Sequence, residues 1–265
     1  MMTVAAVQMI SSPNVADNIA RARALVAEAA ATGATLVTLP EYWPIMGLSD
    51  SDKVGQAEQP GAGPIRDFMA EAAREHGIWL IGGTLPLVAP EPGKVMNTTL
   101  VVDPQGQPAT RYDKIHLFGF TKGAEHYDEA RTIVPGDSVV VFDAPCGRVG
   151  LAVCYDLRFP ELVRAMGECS LMVVTAAFTH TTGLAHWEVL LRARAIENQC
   201  YVLASAQGGL HPNGRRTFGH SMLIDPWGEI KALLPEGEGV IHGRIDPALL
   251  ASVRESLPAL KHRRL

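Results

Sequence analysis

Short, almost wholly apolar runs alternate along this chain with longer stretches in which apolar residues recur at helical spacing. Thr3–Met9 (TVAAVQM) reads as a short buried strand. Asn14–Gly33 puts its alanines and Leu25 on one face and Arg21, Arg23 and Glu28 on the other, and it stops at Gly33, so it predicts a helix. Ala34–Glu41 is a second strand. Residues 63–77 form a second helix, with Pro64 near its start and Gly77 at its end. Ile78–Leu87 (IWLIGGTLPL) is a third strand.

The middle of the chain has a different rhythm. Asn97–Leu117 alternates on either side of a Pro-Gln-Gly turn and predicts a hairpin, and Ser138–Cys154 repeats the theme around Pro-Cys-Gly. Downstream come a short helix (159–168), a strand (170–178), a helix with a basic stripe (185–199) and a strand (200–207). The segments 219–234 and 239–246 close the sheet, and a last helix over 247–257 leads into the tail PALKHRRL. Strands, helices and hairpins in this mixture predict an α/β fold, with one mixed sheet or two layered sheets and helices outside. No linker, repeat or composition break interrupts the chain, so residues 1–265 read as one domain. Phe118–Pro135 is the longest stretch without periodicity, and loops of that length in compact domains are often functional.

Composition narrows the classes. The chain is 47% hydrophobic and 19% charged, ordinary for a globule with a large core. Its net charge of −5, from 23 basic and 28 acidic residues, points neither to nucleic acid nor to an anionic membrane. No apolar run approaches the ~20 residues that span a bilayer. The four cysteines (146, 154, 169, 200) form no C-x-x-C pair, which fits reduced thiols and a cytoplasmic location. No G-x-S-x-G and no glycine-rich phosphate loop occurs, which removes serine hydrolases of that type and nucleotide binders. No zinc motif is found either.

The candidate chemistry sits where predicted strands end. Cys154 follows a buried strand (GRVGLAV) and precedes a helix beginning near Pro160, the arrangement that exposes a nucleophile on a sharp turn. A helix N-terminus beside it would favour the thiolate. On its own, such a cysteine is more often a small buried hydrophobe. Glu41 follows a hydrophobic strand and a proline. Lys114 ends a hairpin strand, and Glu129 lies in the long irregular segment. Taken alone, Glu41 and Glu129 read more simply as solvated loop acids, and Lys114 could be only a surface residue on an edge strand. Asp156 and Arg158 could hold the turn after Cys154 as a local ion pair.

Taken together, LPEYW, YDKIHLF, EARTIVPGD and GLAVCYDLRFPEL closely resemble, in order and spacing, the four motifs of the nitrilase superfamily of carbon–nitrogen hydrolases, over essentially the whole chain from Thr3. That resemblance implies a four-layer αββα sandwich of two mixed sheets flanked by helices, commonly paired into homodimers, and hydrolysis of an amide without metal or cofactor. It implies Glu41 as general base, Cys154 as nucleophile and Glu129, rather than Glu125, as second acid. Lys114 and the backbone N–H of Tyr155 would form the oxyanion hole. The segments AFTHTTGLAHWEVLLRARAIENQCYVLASAQGG and GHSMLIDPWGE resemble the branch that holds deaminated glutathione amidase and omega-amidase, which act on deaminated glutathione and on 2-oxoglutaramate. An N-carbamoyl amino acid hydrolase is the further alternative, and a catalytically silent binding subunit the non-enzyme one. Substrates of that branch carry carboxylates, so Arg158, Lys122, Arg131 and His116 are candidate cations at the mouth, with Phe178 and Thr179 lining the pocket. His186, Trp187 and Glu188 are expected to organise their helix. The tail from Pro258 to Leu265 is either a frayed end or a segment that packs across a partner.

Overall fold

In the computed structural model, residues 1–123 and 125–264 are described; Ala124, inside the segment 118–135, and Leu265, the last residue of the tail, lie outside the described residues. The alternation of side chains along β1 (Met2–Gln8) sets the layers. Val4 and Ala6 face a second sheet, while Ala5 and Val7 pack under α1 (Val15–Ala31) and, farther along the same core, α3 (Pro64–His76). α2 (Asp52–Gly55) is a single turn on the connection between them.

The first sheet runs in parallel through β1, β2 (Leu36–Thr38) and β3 (Trp79–Ile81). The predicted strand 78–87 is in fact two strands. Gly82 and Gly83 break it, and β4 (Leu85–Val88) then pairs with a lower stretch of the same neighbour, β5 (Val95–Val102). The break has a steric cause: Gly83 has φ +50°, and a Cβ there would lie 2.0 Å from the Pro40 carbonyl oxygen. β6 (Pro108–Asp113) returns antiparallel to β5, as predicted for a hairpin.

The segment 118–135 carries more structure than its sequence shows. β7 (Gly119–Lys122) and β8 (Glu125–Asp128) form a small antiparallel ribbon. A 3₁₀ turn at Glu129–Arg131 follows, and β9 (Ile133–Val134) joins β5.

The second sheet repeats the plan of a parallel centre and antiparallel margins. Its order is β10 (Val141–Ala144), β11 (Gly147–Val153), β12 (Leu171–Ala176), β13 (Tyr201–Ala206), β14 (Ser221–Ile224) and β15 (Ile230–Leu234). α4 (Pro160–Ala165) and α5 (His180–Asn198) cover its outer face. β16 (Gly239–Ile245) leaves this sheet and pairs antiparallel with β1, tying the two sheets together, and α6 (Pro247–Ser256) follows. Helix, sheet, sheet and helix thus make four layers. No helix among the described residues is long and apolar enough to cross a membrane.

α5 begins five residues earlier than its periodicity predicts. Thr179 caps it, and Gly183 inside it makes room for Phe218, whose Cβ would be 2.3 Å from a methyl at that position.

Candidate active site

The parallel strands of both sheets end toward one cleft, where side chains of converging loops meet. Glu41 lies three residues past β2. Cys154 directly follows β11, and Ala177, Phe178 and Thr179 follow β12. Lys114 follows β6, and Glu129 opens the 3₁₀ turn after the small ribbon.

These residues meet. The Lys114 ammonium donates to Glu41 Oε1 at 2.8 Å and to both Glu129 oxygens at 2.9 and 2.8 Å. Lys114 is 0% exposed and Glu41 1%. Glu41 is held further by Asn97 Nδ2 (3.0 Å) and by the Ala177 amide (2.8 Å). Glu129 accepts from the Tyr42 hydroxyl (2.8 Å) and the Phe118 amide (2.7 Å). Burial alone would lower the Lys114 pKa, but Glu129 and Glu41 outweigh it and hold the ammonium firmly protonated. Burial alone would raise Glu129, and Lys114 reverses this, keeping it below the usual carboxylate range.

Cys154 is 6% exposed and lines a small cavity with Phe118, Glu129, Tyr155, Phe178 and Thr179. Its backbone has φ +49°, the left-handed region that a non-glycine residue enters only under local constraint. The constraint is Asp156. Fully buried, its carboxylate accepts from the Val153 amide (2.8 Å), the Tyr112 hydroxyl (2.6 Å), the His116 amide (3.0 Å) and His116 Nδ1 (2.7 Å). Residues 112 and 116 flank Lys114, and 153 and 156 flank Cys154, so this one carboxylate ties the lysine loop to the cysteine turn. The predicted Asp156–Arg158 pair does not form. Asp156 turns inward to these donors, while Arg158 reaches His186 Nδ1 (3.2 Å) and lies over the Tyr155 and Phe178 rings.

The thiol also departs from the sequence reading. Burial, reinforced by Glu41, pushes the Cys154 pKa well above its ordinary value despite Lys114, so the resting group is a thiol and not a thiolate. The element that begins at Cys154 is only a five-residue 3₁₀ turn, too short to supply a strong dipole against two carboxylates.

The structure brings Phe178 and Thr179 to the cavity wall and leaves Arg158 and His116 off it. His116 is committed to Asp156 and stacks on Phe159 at 3.7 Å between ring centres. Lys122 and Arg131 are exposed and border neither this cavity nor the adjoining pocket, which Tyr42, Lys53, Tyr127 and Arg215 line. Trp187 anchors α5 by donating to the His220 carbonyl (2.9 Å). Sequence reasoning missed Tyr42, Asn97, Lys53 and Arg215. The polar run Asn97-Thr98-Thr99 inside an otherwise apolar strand was a usable signal; Arg215, in the loop HPNGRR, gave none.

Beneath Glu41 lies a second buried polar network. Gln207 Nε2 donates to the Glu41 carbonyl (3.1 Å) and to Ser11 Oγ (2.8 Å). His211 lies 2.9 Å from the Ser11 carbonyl oxygen through Nδ1 and 2.9 Å from Thr217 Oγ1 through Nε2. Burial pushes the His211 pKa down to about 4 from its ordinary 6.5. The unfolded chain therefore takes up this proton at higher pH than the folded one. Stability from this residue is complete above about pH 6.5 and is lost as pH falls toward 4, by about 3 kcal/mol at ~1.4 kcal/mol per pH unit. Urea denaturation at pH 8 and pH 4 should show this loss in the wild type, and a His211→Gln variant should show correspondingly less of it.

Comparison with known proteins agrees with this geometry. The model of the carbon-nitrogen hydrolase family matches residues 3–255. A deaminated glutathione amidase of Yersinia enterocolitica is 41% identical, the match covering 98% of this chain and 92% of the relative. The crystal structure of the C. elegans NitFhit protein superposes with a TM-score of 0.92 at 38% identity, covering 99% of this chain and 65% of that longer one. A variant of the amidase from Nesterenkonia sp. AN1, with the product of Michael addition of acrylamide at its active-site cysteine, superposes at 0.80 with 27% identity, over 97% of this chain and 98% of that one.

Proposed function

The chain belongs to the carbon–nitrogen hydrolase family and is an amidase, and from that premise we propose that its reaction runs through a thioester on Cys154. The observation that carries this reading is the Lys114 ammonium bonded to both Glu41 and Glu129 beside the cavity that Cys154 lines. Because the thiol is neutral at rest, attack needs a base at the moment of reaction, and Glu41 takes that part. It accepts the Sγ proton as sulfur adds to the amide carbonyl. The oxyanion that forms faces Lys114 and the N–H of Tyr155. Collapse breaks the C–N bond, and Glu41 returns the proton to the departing nitrogen. A water then gives a proton to Glu41 and adds to the thioester, releasing the carboxylic acid and restoring the thiol. Glu129 keeps Lys114 charged and in place throughout.

The substrate we propose is deaminated glutathione, cleaved to 2-oxoglutarate and cysteinylglycine, supported by the activity named for the Yersinia enterocolitica relative. Measuring kcat/KM on deaminated glutathione, 2-oxoglutaramate and an N-carbamoyl amino acid tests it. Deaminated glutathione should lead by at least tenfold. A lead for 2-oxoglutaramate would replace the substrate with that of an omega-amidase, and a lead for the carbamoyl compound would move the chain to another branch.

We also take residues 1–265 as one catalytic domain acting as a homodimer in the cytoplasm. The exposed apolar residues Val189 and Ile196, seven residues apart on one face of α5, support a partner face, and four free thiols suit a reducing compartment.

A further inference from the structure

An ionised carboxylate offers about four places for a donor, two on each oxygen. At Glu41 the fold fills three. Oε1 accepts from the Lys114 ammonium at 2.8 Å and from Asn97 Nδ2 at 3.0 Å, and Oε2 accepts from the Ala177 amide at 2.8 Å. The place left is on Oε2. Of the neighbours with a proton to give, the Tyr42 hydroxyl is turned to Glu129. That leaves the Cys154 thiol, whose pKa is raised by burial and, after it, by Glu41.

Asn97 is the unexpected member of this set. It is buried in β5 and borders neither the cavity at Cys154 nor the adjoining pocket. A leucine would serve the sheet as well, and a buried amide is costly unless it is hydrogen-bonded. Asn97 and Thr99 lie on one face of the strand, where Thr99 Oγ1 donates to the Gly83 carbonyl (2.6 Å) and Asn97 to Glu41. The Asn97 carbonyl in turn accepts from the Lys114 amide (3.0 Å). One residue thus holds both the backbone of the lysine and the oxygen that the lysine bonds. The charged and titratable groups around Glu41 are Lys114 from the end of β6, Cys154 after β11 and Tyr42 from its own loop. Glu129 stands behind the lysine, and Arg215 beyond the Ala177 carbonyl.

We infer that Asn97 is a positioning residue that, with Lys114, closes Oε1 of Glu41 and directs the Cys154 proton to Oε2. The inference rests on the amidase reading above. In this step the S–H bond breaks and its proton bonds to Oε2. The electron pair left on sulfur forms the bond to the carbonyl carbon, and the C=O π pair moves to the oxygen facing Lys114. Without the Asn97 donor, Oε1 is open to a proton from solvent and the ionised carboxylate loses support, so acid inactivates the base at higher pH.

Asn97→Leu keeps the bulk of the side chain and removes the donor. Because Asn97 lines no wall of the cavity, kcat should fall about tenfold with KM held within about threefold, as expected for loss of one hydrogen bond to a charged group. The acid limb of the kcat/KM profile should move up by about one pH unit. A loss of packing alone would reduce the folded fraction and leave the limb where it is. A limb displaced by less than about half a unit, or a loss carried by KM alone, overturns the inference. Should Asn97→Leu fail to fold, Asn97→Thr decides by the same limits: threonine suits a strand, and its hydroxyl stops one bond short of Glu41. A wild type inert on amides would count against the amidase reading instead. Alkylation of Cys154 by iodoacetamide, followed by mass spectrometry, then reads the same proton transfer without turnover. Its acid limb should move up by about one unit in Asn97→Leu, and an unmoved limb overturns the inference.

Discussion

Replacing Cys154 with alanine is expected to lower kcat on the best amide by at least ~10⁴-fold while the protein stays folded. No other thiol can substitute. Cys169 and Cys200 are buried under the second sheet, and Cys146 lies in the turn between β10 and β11, at the other end of β11 from the cleft. The change removes one sulfur from a cavity edge and leaves the Lys114–Glu41–Glu129 cluster intact, so the melting temperature should move by only a few degrees. The left-handed backbone at position 154 suits alanine no worse than cysteine, and Asp156 still holds the turn. Turnover measured beside thermal unfolding checks this. Retained activity would remove Cys154 from the reaction.

Lys114→Met is expected to harm both activity and stability. Among the described residues the ammonium is the one cation bonded to both the buried Glu41 and the half-buried Glu129. Without it, Glu41 and Glu129 face each other with only Asn97, Tyr42 and backbone amides to support their charge. Breaking a buried ion pair from one side typically costs about 3–5 kcal/mol, and in a chain of this size that lowers the melting temperature by roughly 10 °C. One carboxylate is then expected to take up a proton, because two like charges so close cannot both remain ionised. Loss of an oxyanion donor costs about 10²–10³ in rate, and disturbance of the base adds to it, so kcat should fall by ~10³-fold or more. Stopped assays and calorimetry on the same preparation check both effects. A variant with near wild-type turnover would take the lysine out of the mechanism, whatever its stability.

The sequence displays the strand ends that carry Glu41 and Cys154 because those strands are continuous apolar runs closed by a sudden polar residue. The two central hairpins are equally plain from their turns. What it hides are arrangements fixed by distant partners. Asp156 sits two residues from Arg158 and would be paired with it by any local reading, yet three of its four donors come from residues 112 and 116. β16 follows β15 in the chain but pairs with β1, more than two hundred residues away. Arg215 reaches a carbonyl thirty-eight positions earlier. The direction of the thiol pKa was hidden for a related reason. The helix beside Cys154 could be foreseen, whereas the burial and the two acids that dominate it exist only once both sheets are packed.

The central claim, that Cys154 carries the acyl group between amide and acid, is tested most directly by intact-protein mass spectrometry of enzyme quenched with acid during turnover. The account predicts a species heavier by the mass of the acyl group, traced by peptide mapping to Cys154 and missing from Cys154→Ala. An acyl group found on another residue, or none in an enzyme that is turning over with slow thioester hydrolysis, would contradict it.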